Sequence, residues 1–475
     1  MRAEDYYQHP FWFGRFDSTV FLWKYSLAKP AAIPYFRRTL RDQHLPPEEL
    51  AALSWMRTKA LLDYAYQRVP FYRQRFNTIG LHPADITSPE HYCQVPVLTK
   101  QDVRENFKDL VSEDARPGDL RLSTTGGSTG EPLKVYHQKQ VVRSAMLWRL
   151  LLWWGLHPGL TFASVYRQQF NSALQKASNW LANWPGRRIH LNAADLTPES
   201  MVRFFRQFEK HKPQLLHGYV GAVDELASFA LAESIRVPPP KVVWVTSAPL
   251  SEVQRMRIEK AFGAPVCDQY GCCEVYWLAA QCPVRRGLHM LTDVRRIEFL
   301  DEAGQPVPVG QEGDIAITDL ENRFFPIIRY LLGDRGRALE GCCGCGLSLP
   351  LMDRVRGRIT DMIKTPSGRR ISGDYLTTIF DHAPDAVRQF QVCQSEDYSI
   401  ELRVVPSPAY PGLQQLLAEV KTAIIARAHG ELDVRIIECQ SILHDRGKQR
   451  YVISKAGELL GQASDVVQPH SGQHR

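Results

Sequence analysis

No stretch of about 20 uninterrupted apolar residues occurs in the 475-residue chain, which excludes an ordinary membrane-spanning helix. The opening stretch, MRAEDYYQHPFWFGRFDSTVFLWKYSLAKP, places acids early and breaks its aromatics with charge, whereas an export signal needs a basic start and a clean apolar run. Long Lys/Arg runs are missing too: 58 Lys+Arg are interleaved with 51 Asp+Glu, for a net charge of +7. That balance argues against a nucleic-acid partner and suits a small anionic one. Internal repeats and low-complexity tracts are absent. Cysteine is not scarce, since there are ten, several of them clustered. In a chain this long they do not resemble a small secreted disulfide framework, so a cytoplasmic protein is expected, with the cluster serving metal binding or catalysis.

The length predicts two or three domains. PPEELAALSWMRTKALLDYAYQRVPFYRQRF, residues 46–76, has helical apolar spacing, so residues 1–118 read as a helical N-terminal part. Over 119–356, short apolar runs (TFASV, PQLLHGY, KVVWVTS, DIAITDL) alternate with amphipathic stretches (MVRFFRQFEK, AVDELASFALAES, LSEVQRMRIEKAF), the pattern of a layered α/β domain. Within it, RRIEFL and the Gly/Pro-rich DEAGQPVPVGQEGDIAITDL predict a β-rich subdomain. A second alternation over 357–460 fits a small α+β lobe. The polar end, 461–475, reads as a disordered tail.

The most specific local signal is STTGGSTGEPLKV, Ser123 to Val135. Glycines let the backbone turn tightly with converging N–H groups, and hydroxyls add donors, which together suit a phosphate. The spacing is neither a Walker loop nor GxGxxG, and an ordinary hairpin turn remains the alternative. DQYGCCEV, residues 268–275, sets Cys272 and Cys273 between a Tyr-Gly turn signal and Glu274. CPVRRGLH and GCCGCG offer Cys282, His289, Cys342, Cys343 and Cys345, soft ligands whose two knuckle-like loops would suit a tetrahedral structural zinc. The set expected is Cys282, His289, Cys343 and Cys345, with Cys342 as the competing ligand and reduced, unliganded thiols as the other reading.

Taken in order, LLDYAYQRVPFYRQRF, VPVLTKQDVREN, the glycine loop, LLHGYVGAVDELASF, VTSAPLSEVQRMRIEKAFGAPVCDQYGCCEV, PIIRYLLGDRGRAL, VRGRITDMIK and DRGKQRYVIS resemble the adenylate-forming acid ligases, in their phenylacetate–coenzyme A ligase-like branch. The resemblance implies a large α/β N-terminal domain with a β-rich subdomain and a small mobile α+β C-terminal lobe. It implies that Thr125, Gly126, Gly127, Ser128, Thr129 and Gly130 grip nucleotide phosphates, that Ser247, Ala248 and Pro249 line the adenine, and that Tyr270 and Gly271 pack against it. Glu274 would bind magnesium, Asp334 would accept the ribose hydroxyls, Arg358 would lie near ribose and phosphate, and Lys448 would meet the carboxylate and α-phosphate. The implied reaction attaches a carboxylic acid, most plausibly an aryl acid, to AMP from ATP and passes it to the thiol of coenzyme A. Tyr219, Val220 and Gln269 are the expected acyl-pocket residues, and a homodimer is left open.

Three positions depart from the family pattern: Cys273 stands where a phosphate-contacting threonine is usual, Leu332 replaces the threonine of Tyr-x-Thr-Gly-Asp, and Thr360 replaces an aspartate at the hinge. Cys273 is therefore either a similar-sized neighbour of the nucleotide or a nucleophile. As a nucleophile it would move an acyl group from coenzyme A to a carrier-protein thiol without ATP, with His217, His289 or Lys448 lowering its pKa. A non-catalytic nucleotide- or acyl-binding relative is the third reading.

Overall fold

The computed structural model describes residues 16–124, 133–141, 143–168, 172–355, 363–371, 386–407, 410–442 and 451–456, together with Leu376, Ile379, Phe380 and Ala383. The chain forms two compact units, one of residues 1–250 and 257–355, the other of residues 251–256 and 356–475. The expected sites at 125–130, Arg358 and Lys448, the Thr360 substitution and the expected tail lie outside the described residues.

The first unit begins with helices α1 (Phe16–Ala28), α2 (Ala32–Asp42), α3 (Pro47–Arg68), α4 (Pro70–Thr78) and α5 (Lys100–Glu105). The periodic stretch 46–76 is thus two helices rather than one. Pro70 cannot donate a backbone bond and pushes the residue before it out of helical geometry, and Val69 accordingly sits at φ −121°, ψ 110°. A hairpin of β1 (Leu120–Thr124) and β2 (Lys134–Gln138) carries the glycine loop between its strands.

Next come α6 (Arg143–Trp153), β3 (Phe162–Tyr166), α7 (Ala173–Asn183), β4 (Arg188–Asn192), α8 (Pro198–His211), β5 (Leu215–Tyr219), α9 (Val220–Ala232), β6 (Val242–Thr246), α10 (Glu252–Phe262), β7 (Val266–Cys272), β8 (Tyr276–Gln281) and β9 (Leu288–Met290). They are followed by β10 (Arg295–Leu300), β11 (Gly313–Asp319), β12 (Tyr330–Gly336), β13 (Ala338–Leu339) and β14 (Leu351–Met352). Nine of these strands form one sheet in the order β13-β14-β9-β8-β7-β6-β5-β3-β4. Strands β4, β3, β5, β6 and β7 run parallel, as crossover helices require, and pairing turns antiparallel from β7 to β8 onward. Strands β10–β12 form the separate antiparallel β-rich sheet.

The two-residue period of the strands decides what each sheet face buries. Ala163, Val165, Ile189, Leu191, Leu216, Val243, Val245 and Val266 pack against Phe204, Phe205 and Phe208 of α8, Val223 and Leu226 of α9, and Ile258 and Phe262 of α10. Leu215, Val242, Trp244 and Cys267 share the other core with α1, α2 and α6. A fully buried ion pair, Arg149 Nη1 to Asp293 Oδ2 at 2.6 Å, crosses this second core, and Arg149 also donates to Thr39 O at 3.2 Å.

The second unit holds a hairpin of β15 (Ile363–Lys364) and β16 (Arg370–Ile371), then β17 (Val387–Gln394), β18 (Ile400–Pro406), α11 (Leu413–Arg427), β19 (Val434–Glu438) and β20 (Val452–Ser454). Its sheet, β19-β18-β17-β20, buries Phe390, Leu402 and Val404 with Leu417, Val420 and Ile424 of the helix. Among the described residues no helix is long and apolar enough to cross a membrane.

Candidate active site

In an open α/β sheet the ligand crevice lies beyond the carboxyl ends of the parallel strands, where the topology switches. Here those ends carry Tyr166, Tyr219, Thr246 and the segment Gln269–Cys272. Ser247, at the first position after β6, holds φ +78°, a conformation that a non-glycine residue rarely adopts and that clusters at ligand sites. Ala248 and Pro249 follow it, half-buried. Tyr219 packs its ring on Tyr166 at 4.8 Å, and its hydroxyl is pushed upward by burial, with Arg167 opposing and Cys273 adding to the shift. Val220 is buried in the core around α8 and α9, against which the half-buried Tyr219 also packs. The strand ends at Tyr219 and a helix begins at Val220, a switch that sequence spacing does not reveal.

The turn from β7 to β8 forms the centre of the site. A bulge between Tyr270 and Gly271 shifts the register, and a Cβ on Gly271 would lie 2.4 Å from the Tyr276 carbonyl oxygen, so only glycine fits there. The turn holds Cys273 exposed and Glu274 buried. Tyr330 donates its hydroxyl to Glu274 Oε1 at 3.0 Å, and Tyr270 donates to Asp334 Oδ2 at 2.9 Å. Tyr270 lies on β7, and Tyr330 lies on β12 together with Asp334. Burial first, then the adjacent carboxylate, raises both tyrosine hydroxyls well above their usual range, so they stay neutral donors. The same two causes, burial and then Glu274, raise the Cys272 thiol, so at neutral pH it stays protonated and fills space.

Three cation-capable residues that motif spacing did not single out surround the turn. His137 donates from Nε2 to Cys273 O at 3.0 Å and stacks on Tyr276 at 4.1 Å. Burial, reinforced by Arg143 and Arg121, pushes its imidazole down to about 3, so it is neutral. The Arg143 guanidinium carbon lies 3.3 Å from the Tyr276 ring centroid, and Arg121 Nη2 donates to the Tyr276 hydroxyl at 2.6 Å. Neither arginine pairs with a carboxylate among the described residues, so two positive charges stand beside the turn ready for an anion. Their only sequence signal is position: they flank the glycine loop, on β1 and at the start of α6.

Of the suggested activators of Cys273, Lys448 lies outside the described residues, and neither histidine serves as a cation beside it. Burial, with Arg188 adding to it, holds His217 down at about 3, so it supplies no cation. His289 belongs to a separate cluster. There the ligand atoms of Cys282, His289, Cys343 and Cys345 all lie within 4.8 Å of one another. Cys282 Sγ is 3.4 Å from Cys343 Sγ, and Cys345 Sγ is 3.3 Å from His289 Nε2. His289 Nδ1 donates to Leu349 O at 3.0 Å, which fixes the tautomer that leaves Nε2 its lone pair. Burial opposes ionisation of Cys282, yet its side-chain contacts with His289 and Cys343 hold its thiol at about 6. Cys342 is exposed and outside this group. Gly344, at φ +73°, makes the tight knuckle that turns Cys343 and Cys345 inward together. The convergent donor set fits tetrahedral zinc. A cleft of about 460 Å³ between α7, β4 and α8 lies apart from both sites.

No family model matches the sequence. The phenylacetate–coenzyme A ligase of Escherichia coli (strain K12) is 27% identical over 331 residues, covering 66% of this chain and 72% of that protein. The phenylacetate–coenzyme A ligase of Thermus thermophilus is 24% identical over 357 residues, covering 73% of this chain and 79% of its own. The crystal structure of 2-hydroxyisobutyryl-CoA ligase in the postadenylation state, in complex with R3-HIB-AMP, superposes with a TM-score of 0.73 at 22% identity, covering 89% of this chain and 93% of that one. The protein is a relative of the phenylacetate–coenzyme A ligases, with the adenylate-forming fold. The resemblance read from the ordered motifs therefore holds. These relatives are ligases, and the ATP-independent acyl-transfer reading of Cys273 gains no support from them.

Proposed function

We propose that this ligase relative activates a carboxylic acid by adenylation with ATP and transfers the acyl group to coenzyme A. The observation that carries the reading is the paired geometry at the switch point, where Tyr330 holds Glu274 and Tyr270 holds Asp334 around one turn. A carboxylate oxygen of the acid attacks the α-phosphorus and pyrophosphate leaves. The thiol of coenzyme A then attacks the acyl carbonyl, losing its proton, and AMP leaves. Magnesium, when bound, would offset phosphate charge, and Glu274 would hold it. Asp334, its orientation set by Tyr270, would accept the ribose hydroxyls, while Ser247, Ala248, Pro249 and Gly271 would border the adenine. Arg121 and Arg143 suit the phosphates or the departing pyrophosphate. Thr125–Gly130, Arg358 and Lys448 are assigned to phosphate, ribose and carboxylate by their motifs, Lys448 on the smaller C-terminal lobe. Cys273 is read as the neighbour that replaces threonine beside the nucleotide.

The Cys282, His289, Cys343 and Cys345 quartet is proposed as a structural zinc site. It would join the ends of β8 and β9 to the segment between β13 and β14, at the antiparallel side of the sheet. A cytoplasmic location agrees with ten cysteines, none of them paired in a disulfide. The test is acid-dependent exchange of pyrophosphate into ATP over a panel of aryl and alkyl carboxylic acids. Exchange with at least one acid, followed by thioester formation on adding coenzyme A, is expected; no exchange with any acid would overturn the reading.

A further inference from the structure

One face of the central sheet bears on which acid is used, an inference that rests on the ligase reading above. On three adjacent strands this face presents a buried polar side chain whose groups find no hydrogen-bond partner among the described residues: Nε2 of His217 on β5, Nε1 of Trp244 on β6, and both Nε2 and Oε1 of Gln269 on β7. His217 is 8% exposed, Trp244 0% and Gln269 2%. The register sets His217 directly beside Trp244, and Trp244 beside Cys267. Gln269 is one rank further along on the same face, so by strand spacing its Cα lies roughly 12 Å from that of His217. Trp244 lies on the strand between them, so the three side chains border one stretch of this face.

The surroundings are aromatic. Around His217, ring centroids lie at 5.0 Å for Tyr166, 5.7 Å for Trp244 and 5.9 Å for Trp277. Tyr219 extends this wall toward the turn that carries Glu274. Nearer their amino ends the same strands carry Leu215, Val242 and Cys267 into the core with α1, α2 and α6, and the opposite face presents Leu216, Val243, Val245 and Val266, so the unpartnered polar groups of His217, Trp244 and Gln269 are not what packing alone requires. Buried polar groups are nearly always satisfied, and several orphans on one face indicate a missing partner. The imidazole is neutral, since burial and Arg188 depress its pKa, so His217, Trp244 and Gln269 offer hydrogen bonds without charge. We propose that the acid is an aryl acid whose ring carries a neutral hydrogen-bonding substituent, a hydroxyl or an amino group, seated by His217 and Gln269 with Trp244 beside them.

The experiment measures acid-dependent pyrophosphate exchange for the full chain. It compares benzoate and phenylacetate with their 4-hydroxy, 3-hydroxy and 4-amino derivatives. The wild type is expected to favour one substituted acid over its unsubstituted parent by about tenfold or more in kcat/KM, because a site built to bond a hydroxyl is left unpaired by the analogue lacking it. His217→Leu and Gln269→Leu should each lower that preference ratio by about 10- to 100-fold, the usual scale for losing one buried hydrogen bond. Exchange with unsubstituted acids equal to or above that with every derivative would overturn the substituent proposal and leave the ligase reading standing. A preference that both variants leave unchanged would overturn the assignment to these residues. If the variants do not fold, the wild-type ratio decides alone. No exchange with any acid removes the ligase reading, and this inference with it.

Discussion

Gly271→Ala is the sharpest perturbation of the candidate active site. The added methyl would sit 2.4 Å from Tyr276 O and 3.1 Å from Tyr276 C, both backbone atoms of the strand opposite, with no flexible side chain able to yield. Reaching an ordinary carbon–oxygen contact requires the two strands of the hairpin to part by about 1 Å. That displacement passes directly to the turn, because Cys273, Glu274 and Val275 are all that connect β7 to β8. Glu274 would leave its 3.0 Å bond from Tyr330, and Tyr276 would move under Arg143. A shift of about 1 Å in a positioning group costs roughly 100-fold in rate, and overpacking costs about 1 to 3 kcal/mol of stability. Pyrophosphate exchange should therefore fall by about two orders of magnitude while circular dichroism at 25 °C stays native, since the loss is local. An alanine variant that exchanges within about threefold of wild type would refute the account of this turn as rigidly held.

The purified protein should carry about one zinc per chain by elemental analysis, the stoichiometry of a four-ligand site; His289→Ala should lose it and Cys342→Ala should keep it. Asp293→Ala leaves Arg149 buried without its partner and should destabilise the first unit by about 3 to 5 kcal/mol in urea, while the double change Arg149→Leu/Asp293→Leu should recover most of that loss. Arg143→Ala should raise the KM for ATP by about tenfold and weaken its salt dependence; an unchanged KM would detach this cation from the phosphates. His137 and His217 are neutral in the fold, with pKa values near 3, below the histidine value of 6.5. Their contribution to stability is full above pH 6.5 and is lost as pH falls toward 3, so the urea midpoint should drop over that window and drop less in His137→Asn.

Much of this architecture was legible because its signals are local. Alternating runs such as KVVWVTS became strands at the spacing that their hydrophobic period implies, and the Cys/His quartet followed from two short motifs, CPVRRGLH and GCCGCG. Interactions joining distant segments were not legible. Tyr330 and Glu274 are 56 residues apart, and Arg121 and Tyr276 are 155 apart, so no window of sequence contains both partners. Val220 shows a different limit: an apolar residue beside a pocket tyrosine looks like pocket wall, whereas the helix that begins there buries it in the core. In the sequence His217 reads as a source of charge, whereas burial denies it charge and leaves it a neutral hydrogen-bonding group.

The strict alternation of the central strands also bears on how this protein can change. Along β5, β6 and β7, alternate positions answer to different demands: Leu216, Val243, Val245 and Val266 maintain the core with α8, α9 and α10, while His217, Trp244, Thr246 and Gln269 lie on the other face, where the acyl group is proposed to sit. On that proposal, a single nucleotide change at His217 or Gln269 alters substrate preference while the neighbour that secures the fold stays in place. Such a sheet keeps heredity of shape and drift of selectivity on separate sides of one backbone, which suits a lineage whose members share an architecture at one-quarter identity.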